Sequence, residues 1–503
     1  MKNDSFISKN SILLFSTGIL LFTALFIFFA TNTFYNFIEV GSIWVREWFG
    51  GFYLWLGLIC VLFLLAIAIS KIGALRLGNS PPEFNRWSWI AMLYSAGMGA
   101  GILLRSVQEP VYMLQNNPIQ NGSSPQVIAL EYTFYQWGFT AWAFYAIFAL
   151  LVGYAIFIKK DNIRLGTSLP YFNRIKYLPN SIDILTILTT VIGLVAAIGL
   201  GTTQIEGGIS HLLSKPSGDL ITTLILVFAI CAVAFLSAWQ GMQKGIKRIS
   251  NWNIYLTLIL LFFVFVQSDM SLIFSNFLSA TYHYIIDFIP LSIAYGSYDP
   301  GKEFLTNWTY YYWAFWLAWA PFTGIFIARI SKGRTIREMI LGVLIIPSLG
   351  TFFWFSVFGS SAFNLIEQWG TYNNEFGNVF TSLFIFLQNY PLSVIVNLLV
   401  VLLLISFLVT SVDSAIYVLS MFSSKKDKEP KKKFRLIWAL IIFIFSEAIV
   451  VLGSIKPDSD VLTAMQKFLI IGSLPFAFFT AVVIILLTRT LFKKAEVVKK
   501  TSS

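Results

Sequence analysis

Eight aromatic residues crowd the short stretch from Trp308 to Trp319. Trp308, Tyr312, Phe315 and Trp319 recur at helical spacing and so share one face, with Trp313 and Trp316 beside them. Ring faces attract a cation that has no N–H to donate. For a quaternary ammonium each desolvated contact contributes ~2 kcal/mol. The plainer alternative is an aromatic belt, because Trp and Tyr collect at membrane interfaces. A belt occupies one headgroup level, whereas these rings continue to Phe322, spanning about 20 Å at 1.5 Å per residue. On the residues alone, both readings stay open.

Other residues also have types and spacing suited to chemistry. Gly97, Gly99 and Gly101 alternate ahead of Arg105 and Glu109-Pro110. Such glycines either let helices pack closely or mark a locally unwound helix whose free backbone groups meet an ion and a carboxylate. Thr410-Ser411 offers hard oxygen ligands suited to Na⁺; the alternative is that both hydroxyls bond back to their own helix. Arg105 and Glu109, one turn apart, are placed to neutralise each other. Glu206 is either a proton-carrying acid or the partner of Lys215 or a polar neighbour. Asp413 is expected to tie helices together, and Lys467 and Glu447 to meet between the last two spans. The two histidines, His211 and His283, stand in no recognisable metal or nucleophile constellation, which counts against an enzyme. Cys60 and Cys231 lie in apolar runs, where buried small hydrophobes are expected.

These residues must be positioned by membrane helices. Of 503 residues, 57 % are hydrophobic and 12 % charged, half the charge of a soluble domain, which runs near ~25 %. Apolar spans are expected at 11–30, 50–70, 87–114, 127–158, 181–213, 219–239, 250–276, 304–330, 338–363, 391–423, 434–454 and 461–492. The first carries no convincing cleavage site and reads as an anchor. In the eighth, Pro321 and Gly324 are expected to interrupt the helix. Segment 277–303 is partly amphipathic, as for a helix on the outer surface, and 364–390 reads as a polar outer loop with short helices. Alternating the loops across twelve spans puts 29 of the 35 lysines and arginines on one side and four on the other, leaving Arg105 and Lys467 within spans. That asymmetry is the positive-inside pattern. It places both termini in the cytoplasm and turns the net charge of +11 toward anionic lipid rather than nucleic acid.

The motifs resemble the betaine/choline/carnitine transporter family. Residues 308–322 are similar to its eighth-span pattern W-T-x-F-Y-W-A-W-W-x-S-W-x-P-F, departing at Tyr311, Phe315 and Ala318. Ala328 to Glu338 follow its A-R-I-S-R-G-R-T-I-R-E. The glycines resemble its third-span Gly-x-Gly-x-Gly, whose glycine form goes with zwitterions and whose Asp form goes with choline; position 101 is Gly. The fourth span resembles H-W-G-x-H-A-W-A-x-Y with Gln136 and Thr140 in place of the histidines. The fifth resembles G-x-x-x-S-L-G-L-G-x-x-Q with Ala197 for Ser, and the tenth F-x-x-T-S-x-D-S at Phe407 to Ser414.

The resemblance implies an all-α integral membrane fold with twelve transmembrane helices. Two N-terminal helices (1–86) precede two inverted five-helix repeats, 87–276 and 304–492, joined by the outer segment 277–303 and followed by a short basic tail, 493–503. It implies a cation box of Trp137, Trp142, Tyr145, Phe315 and Trp316, with Trp319 on the exit route and Gly99 and Gly101 beside the substrate. It implies Na⁺ as coupling ion at Ser95, Met98, Phe407, Thr410 and Ser411, no cofactor, and a homotrimer in the cell membrane. The expected function is sodium-coupled import of glycine betaine or a similar osmolyte by alternating access. The alternatives are a proton-coupled carrier or sodium-independent exchanger, suggested by Glu206 and Ala197, and a receptor that binds without transport.

Overall fold

The structure, a computed structural model, describes residues 10–501 apart from 98, 162, 241–242, 424–430 and 456–459; the side chains of 95–97, 243–248, 250 and 492–501 are also outside the described set. The described residues are almost wholly helical, and Arg76 to Thr335 is an isolated β-bridge. In hydrocarbon, backbone groups must pair within their own segment, and helices achieve this. Among the described residues ten helices are long and apolar enough to cross a membrane, or eleven when a bent pair counts as one span.

In chain order the helices that position the site are α1 (Ser11–Phe29), α2 (Thr31–Ile69), α3 (Arg86–Gly97), α4 (Ala100–Arg105), α5 (Gln108–Gln115), α6 (Pro125–Trp137), α7 (Phe139–Gly153), α8 (Leu178–Leu212), α9 (Leu220–Gln240), α10 (Gln243–Val266), α11 (Met270–Ile286), α12 (Lys302–Asn307), α13 (Thr309–Ile330), α14 (Ile336–Trp369), α15 (Ser382–Gln388), α16 (Ser393–Phe422), α17 (Lys432–Gly453) and α18 (Val461–Thr501). Local chemistry sets several ends. Ser124 Oγ accepts from Val127 N ahead of Pro125 at the start of α6. Thr335 Oγ1 accepts from Glu338 N at the start of α14, which closes on left-handed Gly370. Asp269 Oδ1 accepts from Leu272 N and starts α11.

The spans differ from expectation in four places. Stretch 50–70 is the second half of the 39-residue α2. Stretch 87–114 is three short helices, broken before Ala100 and again between Arg105 and Gln108. Stretch 250–276 ends at Val266, and α11 turns away from it by 112°, so the outer helix begins at Met270 rather than at 277. Pro321 does not interrupt α13, which is continuous to Ile330. There α13 lies against α7 so closely that a Cβ on Gly324 would sit 2.7 Å from Phe148 Cβ and 2.9 Å from Ala149 N. The neighbour holds the helix through the missing donor. The real interruption is earlier, at Trp308, between α12 and α13.

Candidate functional site

Helices α6, α7 and α13 bring the rings together. Trp137, the last residue of α6, meets Trp316 edge to face at a centroid distance of 5.0 Å and Tyr312 at 5.7 Å. Trp316 also meets Tyr145 at 6.2 Å, and Tyr145 meets Trp142 at 5.4 Å, both perpendicular. Phe315 packs edge-on against Trp316 at 5.2 Å and reaches Trp319 at 6.4 Å. Trp137, Trp142, Tyr145 and Trp316 are buried, whereas Phe315 and Trp319 are half-buried. All six ring residues expected at the box or its exit therefore form one connected group. Edge-to-face contacts leave ring faces turned toward neighbouring space, where the quadrupole attracts cations.

The group borders the broken third span. Gly99, the residue before α4, is extended, at φ −162° and ψ −175°. Gly101 is exposed although Ile102 to Pro110 are all buried. A Cβ on Gly101 would lie 3.6 Å from Trp137 Cη2, and one on Gly99 would meet nothing within 4 Å. Gly101 thus presents bare backbone in contact range of the Trp137 ring, and Gly99 has free space around its own backbone. The unwound reading of the glycines fits this geometry, and close packing does not.

Two charges sit against the rings. The Glu109 carboxylate, fully buried, accepts Trp137 Nε1–H at 3.2 Å and the Tyr312 hydroxyl. Arg105, 4 % exposed, lies 4.0 Å from Glu109 and donates to Gln108 Oε1 at 2.7 Å. Its guanidinium carbon stands 4.9 Å above the Trp308 ring. The pair does neutralise itself, and it also fixes Trp137, Tyr312 and Trp308. Gln136 Nε2 donates to Thr309 Oγ1 at 3.1 Å. Gln136 Oε1 and Thr140 Oγ1, at the positions where the resembled pattern has histidine, have no hydrogen-bond partner among the described residues.

A second break falls inside the fourth span, at Gly138, between α6 and α7. A Cβ there would lie 2.6 Å from Phe134 O, 2.6 Å from Tyr284 Oη and 2.9 Å from Phe352 Cζ. Tyr284, fully buried on α11, accepts the Phe139 N–H at 2.7 Å. Trp316 Nε1 donates to Gln136 O at 2.9 Å. Sequence reasoning missed Tyr284 and this use of Trp316; the Gly within Trp137-Gly138-Phe139 was the available signal.

The expected ion ligands are only partly covered. Met98 lies outside the described residues, and so does the side chain of Ser95, on α3. Phe407, Thr410 and Ser411 are on α16, against which α4 packs. Thr410 Oγ1 donates to Ser406 O at 2.9 Å and Phe407 O at 3.0 Å. Back-bonding is therefore present, but it uses the hydroxyl hydrogen and leaves oxygen lone pairs free.

Three outlying expectations also resolve. Glu206 accepts from Ser210 Oγ and Gly218 N, each at 2.8 Å, and from Asp219 N at 3.3 Å. It ties the turn between α8 and α9, with polar neighbours and not Lys215 as the bonded partners. Lys467 does not meet Glu447. It bonds Glu39 at 2.9 Å and Tyr35 Oη at 3.0 Å, joining α18 to α2. His283 does have metal-ligand types around it, Glu131 and Asp287, brought from distant sequence positions.

Comparison with known proteins bears on the whole chain. Residues 11–496 match the model of the BCCT family, described as betaine/carnitine/choline family transporter. The chain is 36 % identical over 474 residues to the glycine betaine transporter OpuD of Bacillus subtilis (strain 168), covering 92 % of this chain and 91 % of that one. It is 32 % identical over 461 residues to the ectoine/hydroxyectoine transporter of Virgibacillus pantothenticus, covering 89 % and 90 %. It is 32 % identical over 447 residues to the high-affinity choline transport protein of Escherichia coli (strain K12), covering 86 % and 65 %. Ring cluster, broken third span and matched length agree: the chain is a multi-pass membrane protein of the betaine/carnitine/choline transporter family.

Proposed function

We propose that this protein is a sodium-coupled secondary importer of a trimethylammonium zwitterion, glycine betaine or a similar osmolyte. The observation that carries this reading is the Trp137–Trp316 ring cluster with the exposed Gly101 backbone beside Trp137. A trimethylammonium group there meets ring faces that need no N–H donor. The Arg105–Glu109 pair supplies both signs of charge near the rings. A net-neutral substrate suits such surroundings better than a bare cation, whose charge the guanidinium opposes. The relatives transport glycine betaine or ectoine by name, and another choline.

In this reading Ser95, Met98, Phe407, Thr410 and Ser411 hold Na⁺ where the broken third span meets α16. Na⁺ binding there orders the break and raises substrate affinity, and the gradient drives uptake. In this reading the chain makes twelve spans, with α3–α5 counted as one crossing and α10 alone as another, in two inverted repeats. It lies in the cell membrane with both termini cytoplasmic, as a homotrimer. The proton-coupled alternative gains nothing from Glu206, whose carboxylate is already engaged by two backbone amides.

The test is uptake of radiolabelled glycine betaine into proteoliposomes with an inward Na⁺ gradient, then with K⁺ replacing Na⁺ at fixed pH. Uptake only with Na⁺ is expected. Equal uptake in both overturns sodium coupling, and uptake in neither overturns the substrate.

A further inference from the structure

Glu131, His283 and Asp287 converge beside α11, away from the ring cluster. One ligand atom from each lies within 4.8 Å of the other two. Glu131, in the second turn of α6, is fully buried, and its Oε1 has no hydrogen-bond partner. Its Oε2 accepts from Asn121 Nδ2 at 2.7 Å, and the same amide reaches Asp287 Oδ2 at 3.3 Å. One oxygen of each carboxylate therefore faces the Asn121 amide, and Glu131 Oε1 is left over. Among the described residues no Lys or Arg pairs with either, and the nearest basic group is His283, whose Nδ1 is 3.6 Å from Asp287 Oδ2.

Two facing carboxylates repel in a buried site unless one takes up a proton or a cation comes between them. A cation between them removes that repulsion and gives Glu131 Oε1 a partner. The third ligand decides which cation. Imidazole nitrogen suits borderline first-row divalent ions, while Na⁺ and Ca²⁺ prefer all-oxygen sets. His283 is also oriented as a ligand usually is, because its other nitrogen, Nε2, is 3.1 Å from Ser123 Oγ. Tyr298 Oη donates to Asp287 Oδ1 at 2.8 Å and holds that carboxylate in the same way.

We propose that Glu131, His283 and Asp287 form a binding site for a first-row divalent cation, with Zn²⁺ the best fit. Three protein ligands leave one tetrahedral position open for water. Around Zn²⁺ the ligand atoms stand about 3.3 Å apart, so binding draws His283 inward, the least buried of the three at 27 % side-chain exposure. The site joins α6 to the end of α11. Tyr284, next to His283, is the residue that accepts the Phe139 N–H at the Gly138 break. A bound ion would fasten the helix that braces Trp137.

The experiment uses untagged full-length protein in detergent, stripped with chelator and titrated with Zn²⁺ in a weak competing chelator. One equivalent is expected to bind and to raise the unfolding temperature. His283→Gln and Glu131→Gln, checked for monodispersity, are expected to weaken binding by about tenfold or more. X-ray absorption at the zinc edge of the wild-type protein is expected to show a nitrogen and oxygen shell containing imidazole and no sulfur. That measurement keeps the assignment testable even where a variant misfolds. No bound Zn²⁺ in the wild type, unchanged binding in both folded variants, or a sulfur-containing shell each overturn it.

Discussion

Replacing Trp316 by Leu and, separately, by Phe divides what its ring contributes. Trp316 presents its indole among Trp137, Tyr145, Phe315 and Tyr312, and its N–H is bonded to Gln136 O at 2.9 Å. Both substitutions lose that hydrogen bond, at about 1 kcal/mol. Leu also loses the whole cation–π contact, about 2 kcal/mol, while Phe keeps roughly half of it. The bond to Gln136 is lost in free and bound protein alike, so only the cation–π part enters Kd: about 2 kcal/mol for Leu and about 1 kcal/mol for Phe, or roughly 30-fold and fivefold. Packing losses would blur these figures, so the decisive assay compares two ligands on each variant. One is glycine betaine, and the other is its tert-butyl analogue, in which carbon replaces the ammonium nitrogen without changing shape. Displacement of radiolabelled betaine from purified protein gives both affinities. The wild type is expected to prefer betaine strongly, the Phe variant less, and the Leu variant least. Undiminished preference in Trp316→Leu would falsify the box, because packing damage affects both ligands alike.

Gly138→Ala places a Cβ 2.6 Å from Phe134 O and from Tyr284 Oη, at a cost of about 2 kcal/mol or more; an unchanged unfolding temperature in detergent would reject the break. Arg105→Ala leaves the buried Glu109 carboxylate without its ion-pair partner, a loss of about 3–5 kcal/mol. The double variant Arg105→Ala/Glu109→Gln is expected to recover much of that in thermal unfolding, and a double variant no better than the single would show the pair is not coupled. Thr410→Ala is expected to raise the Na⁺ concentration for half-maximal uptake about tenfold, equal to about 1.4 kcal/mol. The same half-saturation in variant and wild type would remove Thr410 from the ion site.

The clustering of the rings was legible because its members lie in two short motifs, Trp137 to Tyr145 and Trp308 to Trp319, and each motif sits on adjoining helices. Their types specify ring faces, and their spacing specifies a shared helix face. The breaks were legible only where the sequence spells them locally, as in Gly97, Gly99 and Gly101. At the Gly138 break the deciding partner, Tyr284, lies 145 positions from Phe139, whose amide it accepts, and nothing near Gly138 announces it. Pro321 misled for the converse reason. Its cost was real, but the tight contact of Gly324 with Phe148 and Ala149 on α7 holds the helix through it. Lys467 with Glu39 and His283 with Glu131 are long-range pairings of the same kind. In each case the charge could be seen in the sequence, and the partner could not.

The Gly138 break and the ring box are a single structural unit. A broken helix in hydrocarbon needs partners for the groups it frees. Upstream of the break the indole of Trp316 bonds the Gln136 carbonyl; downstream the Tyr284 hydroxyl accepts the Phe139 amide. The ring assigned to the substrate thus also closes the break. The same doubling occurs at Trp137, which ends α6 and donates to Glu109 from the broken third span. A ligand can shift a conformational equilibrium only by contacts that differ between its states. A cation resting on Trp316 and Trp137 meets that condition directly, since any motion at Gly138 or in the third span moves the rings it touches. Coupling between binding and rearrangement therefore needs no long relay through the bundle. It needs only that the residues proposed to hold the cation are the ones holding the broken helices.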